Sequence, residues 1–120
     1  MTQKRKQELG GWGETEAANY LAQRGYQLIS RNVRTPYGEI DIIASLDGLT
    51  VFIEVKTRAS KTMGVPEISI TPRKRVHMIA SAEHYAMEHG IEHWQIDAIS
   101  IEGERGRPVT ITHFENAVQQ

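Results

Sequence analysis

Residues 38–58 read Gly-Glu-Ile-Asp-Ile-Ile-Ala-Ser-Leu-Asp-Gly-Leu-Thr-Val-Phe-Ile-Glu-Val-Lys-Thr-Arg, and how this stretch pairs with itself decides the fold. Two alternating β-type runs flank Asp47-Gly48, a dipeptide suited to a two-residue type I′ hairpin turn. With those residues at the tip, the register follows by counting. Leu46 faces Leu49, Ala44 faces Val51, Ile42 faces Ile53 and Asp41 faces Glu54. One side of the ribbon then carries Ile40, Ile42, Ala44, Val51, Ile53 and Val55. The other carries Glu39, Asp41, Ile43, Phe52, Glu54 and Lys56. A one-residue slip would mix the two sets, so the hydrophobic pattern supports the same register as the turn.

The second side sets Asp41 against Glu54. Directly opposed Cβ atoms lie roughly 4.5–5.5 Å apart, and like charges there are destabilising. A hard divalent cation would convert that repulsion into a ligand set, because Mg²⁺ accepts a few carboxylate oxygens and keeps several waters. Lys56 follows Glu54 on the same side, roughly 6.5–7 Å along the strand. From there it could reach a water or phosphate oxygen beside the cation. Alternatively, Lys56 and Glu39 simply neutralise a solvated face.

Outward from the hairpin, 120 residues suffice for one domain with its own core. The absence of cysteine excludes disulfides and thiolate metal sites. Residues 1–10 read as a basic arm through Lys4-Arg5-Lys6, with no apolar region after it that resembles a signal or a membrane span. A cytoplasmic protein with no membrane partner is the default expectation. A net charge of −1 conceals an uneven distribution. Lys56, Arg58, Lys61, Arg73, Lys74 and Arg75 face only Glu67 between positions 56 and 75, whereas positions 76–104 hold acids and no lysine or arginine. Such a local basic stripe is a footprint of nucleic-acid binding, and equally of a solvated face.

Along the chain, Gly10-Gly11-Trp12-Gly13 reads as a glycine-rich approach to a helix over 14–24, stopped by Gly25. Glu14 heads the inward stripe of Ala17, Ala18 and Leu21, where it needs a partner, or it merely complements the helix dipole. A strand over 26–33 and a turn at 35–38 lead into the hairpin, and an irregular segment over 59–70 follows it. Thr71-Pro72 then starts a helix that runs to about His89, with Val76, Ile79, Ala80 and Met87 as its buried stripe and Ala82 and Ala86 beside them. Arg73, Lys74 and Arg75 crowd its first turn, where their charge opposes the dipole but suits a docked anion. A strand over 94–101, an edge strand over 108–114 and a frayed tail over 115–120 complete the chain. The order α-β-β-β-α-β-β predicts an α/β fold with a mixed sheet flanked by helices.

Glu14 on a first helix, Gly-Glu-Ile-Asp at 38–41 and Val-Phe-Ile-Glu-Val-Lys-Thr-Arg at 51–58 together resemble the YraN family of uncharacterised bacterial proteins. That family is similar to archaeal Holliday-junction resolvases and the restriction-endonuclease-like PD-(D/E)xK nucleases. Gly25-Tyr26, Arg31-Asn32, the helix bearing Lys74 and the strand bearing Asp97 extend the likeness. Ile40 stands where the superfamily's name-giving proline would be. The resemblance implies a restriction-endonuclease-like core and a Mg²⁺- or Mn²⁺-dependent endonuclease active on branched or damaged DNA, as in repair and recombination. It implies that Asp41 and Glu54 hold the metal with the Val55 carbonyl, that Glu14 completes the site, and that Lys56 orients the attacking water. Arg58, Lys61, Arg73, Lys74 and Arg75 are the candidates for DNA contact.

Two other readings stand beside this one. The chain could be a nucleic-acid binding module with a vestigial acidic site, or an interaction domain whose acidic helix at 83–92 docks a basic partner. A homodimer is compatible with each. A zinc site on His84, His89 and His93 is disfavoured because Gly90 interrupts any shared helical face. Trp12 and Tyr37 are suited either to stacking on bases or to core packing.

Overall fold

The computed structural model describes residues 3–58 and 69–119, with side chains from residue 11 onward. The elements run α1 (Gln3–Gln23), β1 (Gln27–Thr35), β2 (Gly38–Leu46), β3 (Leu49–Arg58), α2 (Pro72–His89), β4 (Trp94–Glu102) and β5 (Thr110–Phe114). Among the described residues the strands form one sheet in the order β1-β2-β3-β4-β5. All neighbours are antiparallel except β3 and β4, whose parallel pairing requires the α2 crossover. This is the mixed α/β architecture expected from the order of elements.

The β2–β3 hairpin has the counted register, with Leu46↔Leu49, Ala44↔Val51 and Ile42↔Ile53 as partners. Its tip is a two-residue turn in which Asp47 and Gly48 both take positive φ, 50° and 85°. That is what a type I′ turn demands and what this dipeptide tolerates. The helices cover opposite faces of the sheet. Ala17 and Leu21 of α1 pack on Ile42, Ala44, Val51, Ile53, Ile99 and Ile101. Ala82, Tyr85 and Ala86 of α2 pack on Ile40, Ile43, Phe52, Ile96 and Val118. The second side of the hairpin is therefore buried at Ile43 and Phe52, and its charges lie beyond the apolar patch. Ile40 joins the α2 cluster rather than the side holding Ile42, so alternation breaks at Asp41. Across from that break, Asn32 in β1 takes a φ of 53°, outside regular strand geometry.

Three expectations are corrected. First, α1 begins well before residue 14 and runs through the glycines. Each interior glycine costs the helix about 1 kcal/mol relative to alanine, but tertiary packing overrides the propensity. Gly13 lies so close to β3 that a Cβ built on it would fall 1.9 Å from Thr57 Oγ1. The bare backbone is what lets the helix settle there.

Second, the buried stripe of α2 is shifted. Ala82 and Ala86 are buried and Ile79 packs against the core as expected, but Val76 is 63% and Met87 84% exposed, and Ser81 and Tyr85 are inside instead. An alanine-rich helix can turn about its axis, and the sheet selects the orientation that brings in the aromatic. The Tyr85 ring meets Phe52 edge-on at 5.7 Å, a larger and more specific contact than Val76 could make.

Third, the C-terminal residues are packed rather than frayed. The Ala117 N–H donates to the Ile96 carbonyl at 2.8 Å, and Val118 is buried in the α2-side core.

Candidate active site

The β2–β3 ladder ends at Ile42↔Ile53 because each strand then follows its other neighbour, β2 toward β1 and β3 toward β4. Asp41 sits at this parting. Its carboxylate Oδ2 accepts the Val55 backbone N–H at 2.8 Å, replacing the interstrand carbonyl that the ladder no longer provides. Burial and the neighbouring Glu54 carboxylate push the Asp41 carboxyl up to about 7, and the Val55 N–H offsets only part of that rise. The Glu54 charge thus acts on Asp41, although regular β2–β3 pairing stops at Ile42↔Ile53, one position short of the two acids.

Glu14 reaches the same place from α1. Its side chain is 14% exposed, and its charge contributes to the rise at Asp41. Burial raises the Glu14 carboxyl above the ordinary value, while Asn32 and Arg31 pull it back. The Arg31 guanidinium lies 3.6 Å from Glu14 Oε1, beyond hydrogen-bond range, and that buried oxygen has no hydrogen-bond partner among the described residues. A buried acceptor left without a hydrogen bond costs about 1–3 kcal/mol, so this oxygen is free to accept from a further donor or to ligate a cation. Among the described residues, however, no three carboxylates or imidazoles converge closely enough to enclose a cation by themselves.

The lysines are arranged differently from the sequence reading. Lys56 is exposed on β3 and faces a cleft of about 390 Å³ that it shares with Glu54, Thr57, Ser69, Thr71 and Lys74. The cation on Glu54 is instead Lys74, with Nζ 2.9 Å from Oε1. Lys74 is delivered there by the start of α2, where Thr71 Oγ1 caps the helix by accepting the Lys74 backbone N–H at 3.1 Å.

With this geometry in hand, comparison with known sequences is informative. The model of the family described as "Uncharacterised protein family UPF0102" matches residues 13–101. The chain belongs to that family. A UPF0102 protein of Roseiflexus castenholzii is 42% identical over 120 residues, covering 97% of each chain. One from Dehalococcoides mccartyi is 43% identical over 105 residues, covering 86% of this chain and 87% of its own. One from Chlorobaculum parvum is 52% identical over 79 residues, or 66% of this chain and 61% of its own. The span matched by the UPF0102 model takes in Glu14, Asp41, Glu54, Lys56 and Lys74, so the whole acid cluster lies inside the family's region.

The other candidate residues of this UPF0102 chain are more dispersed. Arg58 ends β3 and is half-buried, Arg73 is exposed on α2, and Arg75 reaches the Gln119 carbonyl at 3.5 Å. Lys61 lies outside the described residues. The α2 histidines are engaged separately, His84 with Glu88 at 3.3 Å and His89 with the Tyr85 carbonyl at 2.9 Å. Trp12 packs into the α1-side core, while Tyr37 is half exposed.

Two features were missed from the sequence. One is Lys74 as the partner of Glu54. The Thr71-Pro72 cap did place Lys74 in the first turn of α2, but not beside a particular strand. The other is a network at Asp97, which is fully buried and accepts from Gln95 Nε2 at 2.8 Å and the Asn116 N–H at 2.8 Å. It also pairs with His113 Nε2 at 2.7 Å, and the other ring nitrogen of His113 meets the Tyr20 hydroxyl at 3.2 Å. An aspartate between Ile96 and Ala98 in an apolar strand was the available signal, since buried charges are normally paired. This network ties α1, β4 and β5 together, and it reads as structural.

No helix among the described residues is long and apolar enough to cross a membrane.

Proposed function

We propose that this UPF0102 protein is a Mg²⁺- or Mn²⁺-dependent endonuclease-like phosphodiester hydrolase acting on cytoplasmic DNA, with branched or damaged duplexes as its substrate class. The observation that supports the reading is the buried Asp41 carboxyl, under the influence of Glu54 and Glu14, where β2 and β3 part, with a Glu14 oxygen that has no hydrogen bond among the described residues. The donor set fits a hard cation. Two neighbouring carboxylates offer oxygen ligands, and a third buried oxygen can act directly or through water. With no complete protein cage, the remaining positions would be filled by water and substrate, as Mg²⁺ prefers. The resemblance to PD-(D/E)xK nucleases, with the Val55 carbonyl as a further ligand, points the same way.

When bound, such an ion supplies Lewis acidity and a more acidic water. The chain's own groups do the rest. Asp41 releases its proton to become a ligand, which its carboxyl can do near neutral pH. Lys56 projects into the cleft beside Glu54, where its ammonium can orient the attacking water and offset charge that grows on the phosphate oxygens. Attack by water oxygen on phosphorus breaks one ester bond and leaves a phosphate monoester and a hydroxyl. Arg73 and Arg75 extend positive charge along the first turns of α2 for the phosphate backbone.

One observation favours a second reading, a non-catalytic nucleic-acid binding module. Glu54 already has a cation in Lys74, so the acid cluster is partly neutralised without metal. Incubation with linear, flapped and four-way DNA in Mg²⁺ or Mn²⁺ distinguishes the two. Metal-dependent cleavage that disappears in Asp41→Ala is the expected result. Salt-dependent binding with no cleavage on any substrate would make the binding module the correct reading.

A further inference from the structure

The ion pair between Lys74 and Glu54 raises a question that the nuclease reading leaves open. Glu54 and Glu14 both act electrostatically on Asp41 at the parting of β2 and β3. Glu14 has Arg31 at 3.6 Å and Glu54 has Lys74 at 2.9 Å. Asp41 has no ion-pair partner among the described residues, and its Oδ2 accepts the Val55 N–H at 2.8 Å. The acids are thus met by two side-chain cations and one backbone N–H.

Lys74 and a divalent ion would compete for one object, the outward oxygen of Glu54. Lys74 is well suited to yield. Its backbone is fixed by the Thr71 cap, but its side chain is 51% exposed and ends in a flexible four-carbon stem beside open cleft. Its other direction of travel is into that cleft, which Lys56, Ser69 and Thr71 also line. Two ammonium groups and two hydroxyl side chains there make a setting for a phosphate and not for a second cation.

We propose that Lys74 is a resident counter-cation that holds Glu54 in the metal-free protein, gives it up when a divalent ion binds, and passes to a DNA phosphate in the cleft. This rests on the reading of Asp41 and Glu54 as a metal site. The exchange couples the two ligands. Metal frees an ammonium for phosphate, and phosphate removes the metal's competitor, so each strengthens binding of the other by the same factor. DNA would therefore draw metal into a site that stays internally neutralised without substrate.

The signs of the predicted effects are opposite, which is what a merely structural ion pair would not give. Lys74→Gln should bind Mn²⁺ about three- to tenfold tighter by calorimetry, the range expected for removal of a partly exposed, charge-assisted pair. Lys74→Arg, which keeps the charge, should stay within about twofold of wild type on the same grounds. For four-way DNA, Lys74→Gln should lose less affinity relative to wild type in EDTA than in Ca²⁺. In Ca²⁺, used as a metal that allows binding to be measured without turnover, it should bind several-fold more weakly. Melting curves establish that each variant is folded. Mn²⁺ affinity unchanged or weakened in Lys74→Gln, with wild type and Asp41→Asn behaving as a metal site and its knockout, would overturn the exchange and leave the site standing. Failure of wild type itself to bind Mn²⁺, or equal binding by Asp41→Asn, would remove the metal site and the exchange with it.

Discussion

Asp41→Asn offers the sharpest test of the electrostatics at the parted strands. The substitution keeps an oxygen that can accept the Val55 N–H and removes the charge beside Glu54. In the wild type the Asp41 carboxyl rises from 3.8 to about 7 on folding. The native protein therefore keeps a proton that the unfolded chain has already lost across that interval. A group whose affinity for its proton is raised by folding stabilises the fold fully below its unfolded value, and that stability is lost as pH climbs through the folded value. The loss proceeds at no more than about 1.4 kcal/mol per pH unit and sums to at most about 4 kcal/mol by pH 7. Asparagine does not titrate, so the advantage of Asp41→Asn over wild type should grow from pH 4 to pH 7 and then level off. At roughly 4 °C per kcal/mol for a domain of this size, the gap at pH 8 reaches up to about 15 °C. Thermal melts of both proteins in EDTA across this range measure it directly. With Mn²⁺ present at about a hundred times its Kd, wild type should recover roughly 2.7 kcal/mol while the variant recovers nothing. A stability gap that is flat with pH, or a variant that falls behind as pH rises, would refute the proposed crowding of Asp41 by Glu54 and burial. Equal stabilisation of both proteins by Mn²⁺ would refute the metal site.

Further expectations concern the elements that present this site. Gly13→Ala should lose about 1–3 kcal/mol in chemical denaturation, despite alanine's better helix propensity, because the new methyl would collide with Thr57 Oγ1; a neutral or stabilising result would show that α1 does not lie so close to β3. Asp97→Ala should lower stability by about 1–3 kcal/mol, since it leaves the part-buried His113 and Gln95 donors and the Asn116 N–H without their acceptor; a loss below about 1 kcal/mol would mean that the network is solvated. Arg73→Gln together with Arg75→Gln should weaken DNA binding and shallow the plot of log affinity against log salt by about 1 for each phosphate contact removed, and an unchanged slope would leave these arginines as solvated surface.

What could be read from the sequence was local. Asp47-Gly48 has few ways to turn, and the strands beside it alternate, so the hairpin register followed from neighbours in the chain. The same holds for α2, whose start at Thr71-Pro72 and stop at Gly90 are written in residues with strong backbone preferences. Pairing of β3 with β4 followed from the crossover between them.

Tertiary structure decided wherever a local signal allowed two answers. The glycines before residue 14 read as a loop until their closeness to Thr57 gave them a reason to be helical. On α2 the sheet kept Ala82 and Ala86 inside but brought Tyr85 onto Phe52 and left Val76 and Met87 exposed. Val118 looked like tail because nothing near it in sequence needs it, and the cavity it fills is lined by residues far away in the chain. The clearest case is the lysine. Periodicity placed Lys56 beside Glu54 along one strand, but the side chain that meets Glu54 comes from a helix some twenty positions later, carried there by a crossover whose angle no local preference sets. Short-range sterics and alternation determine the elements and the acids they pair. Which cation answers those acids depends on how separate elements pack.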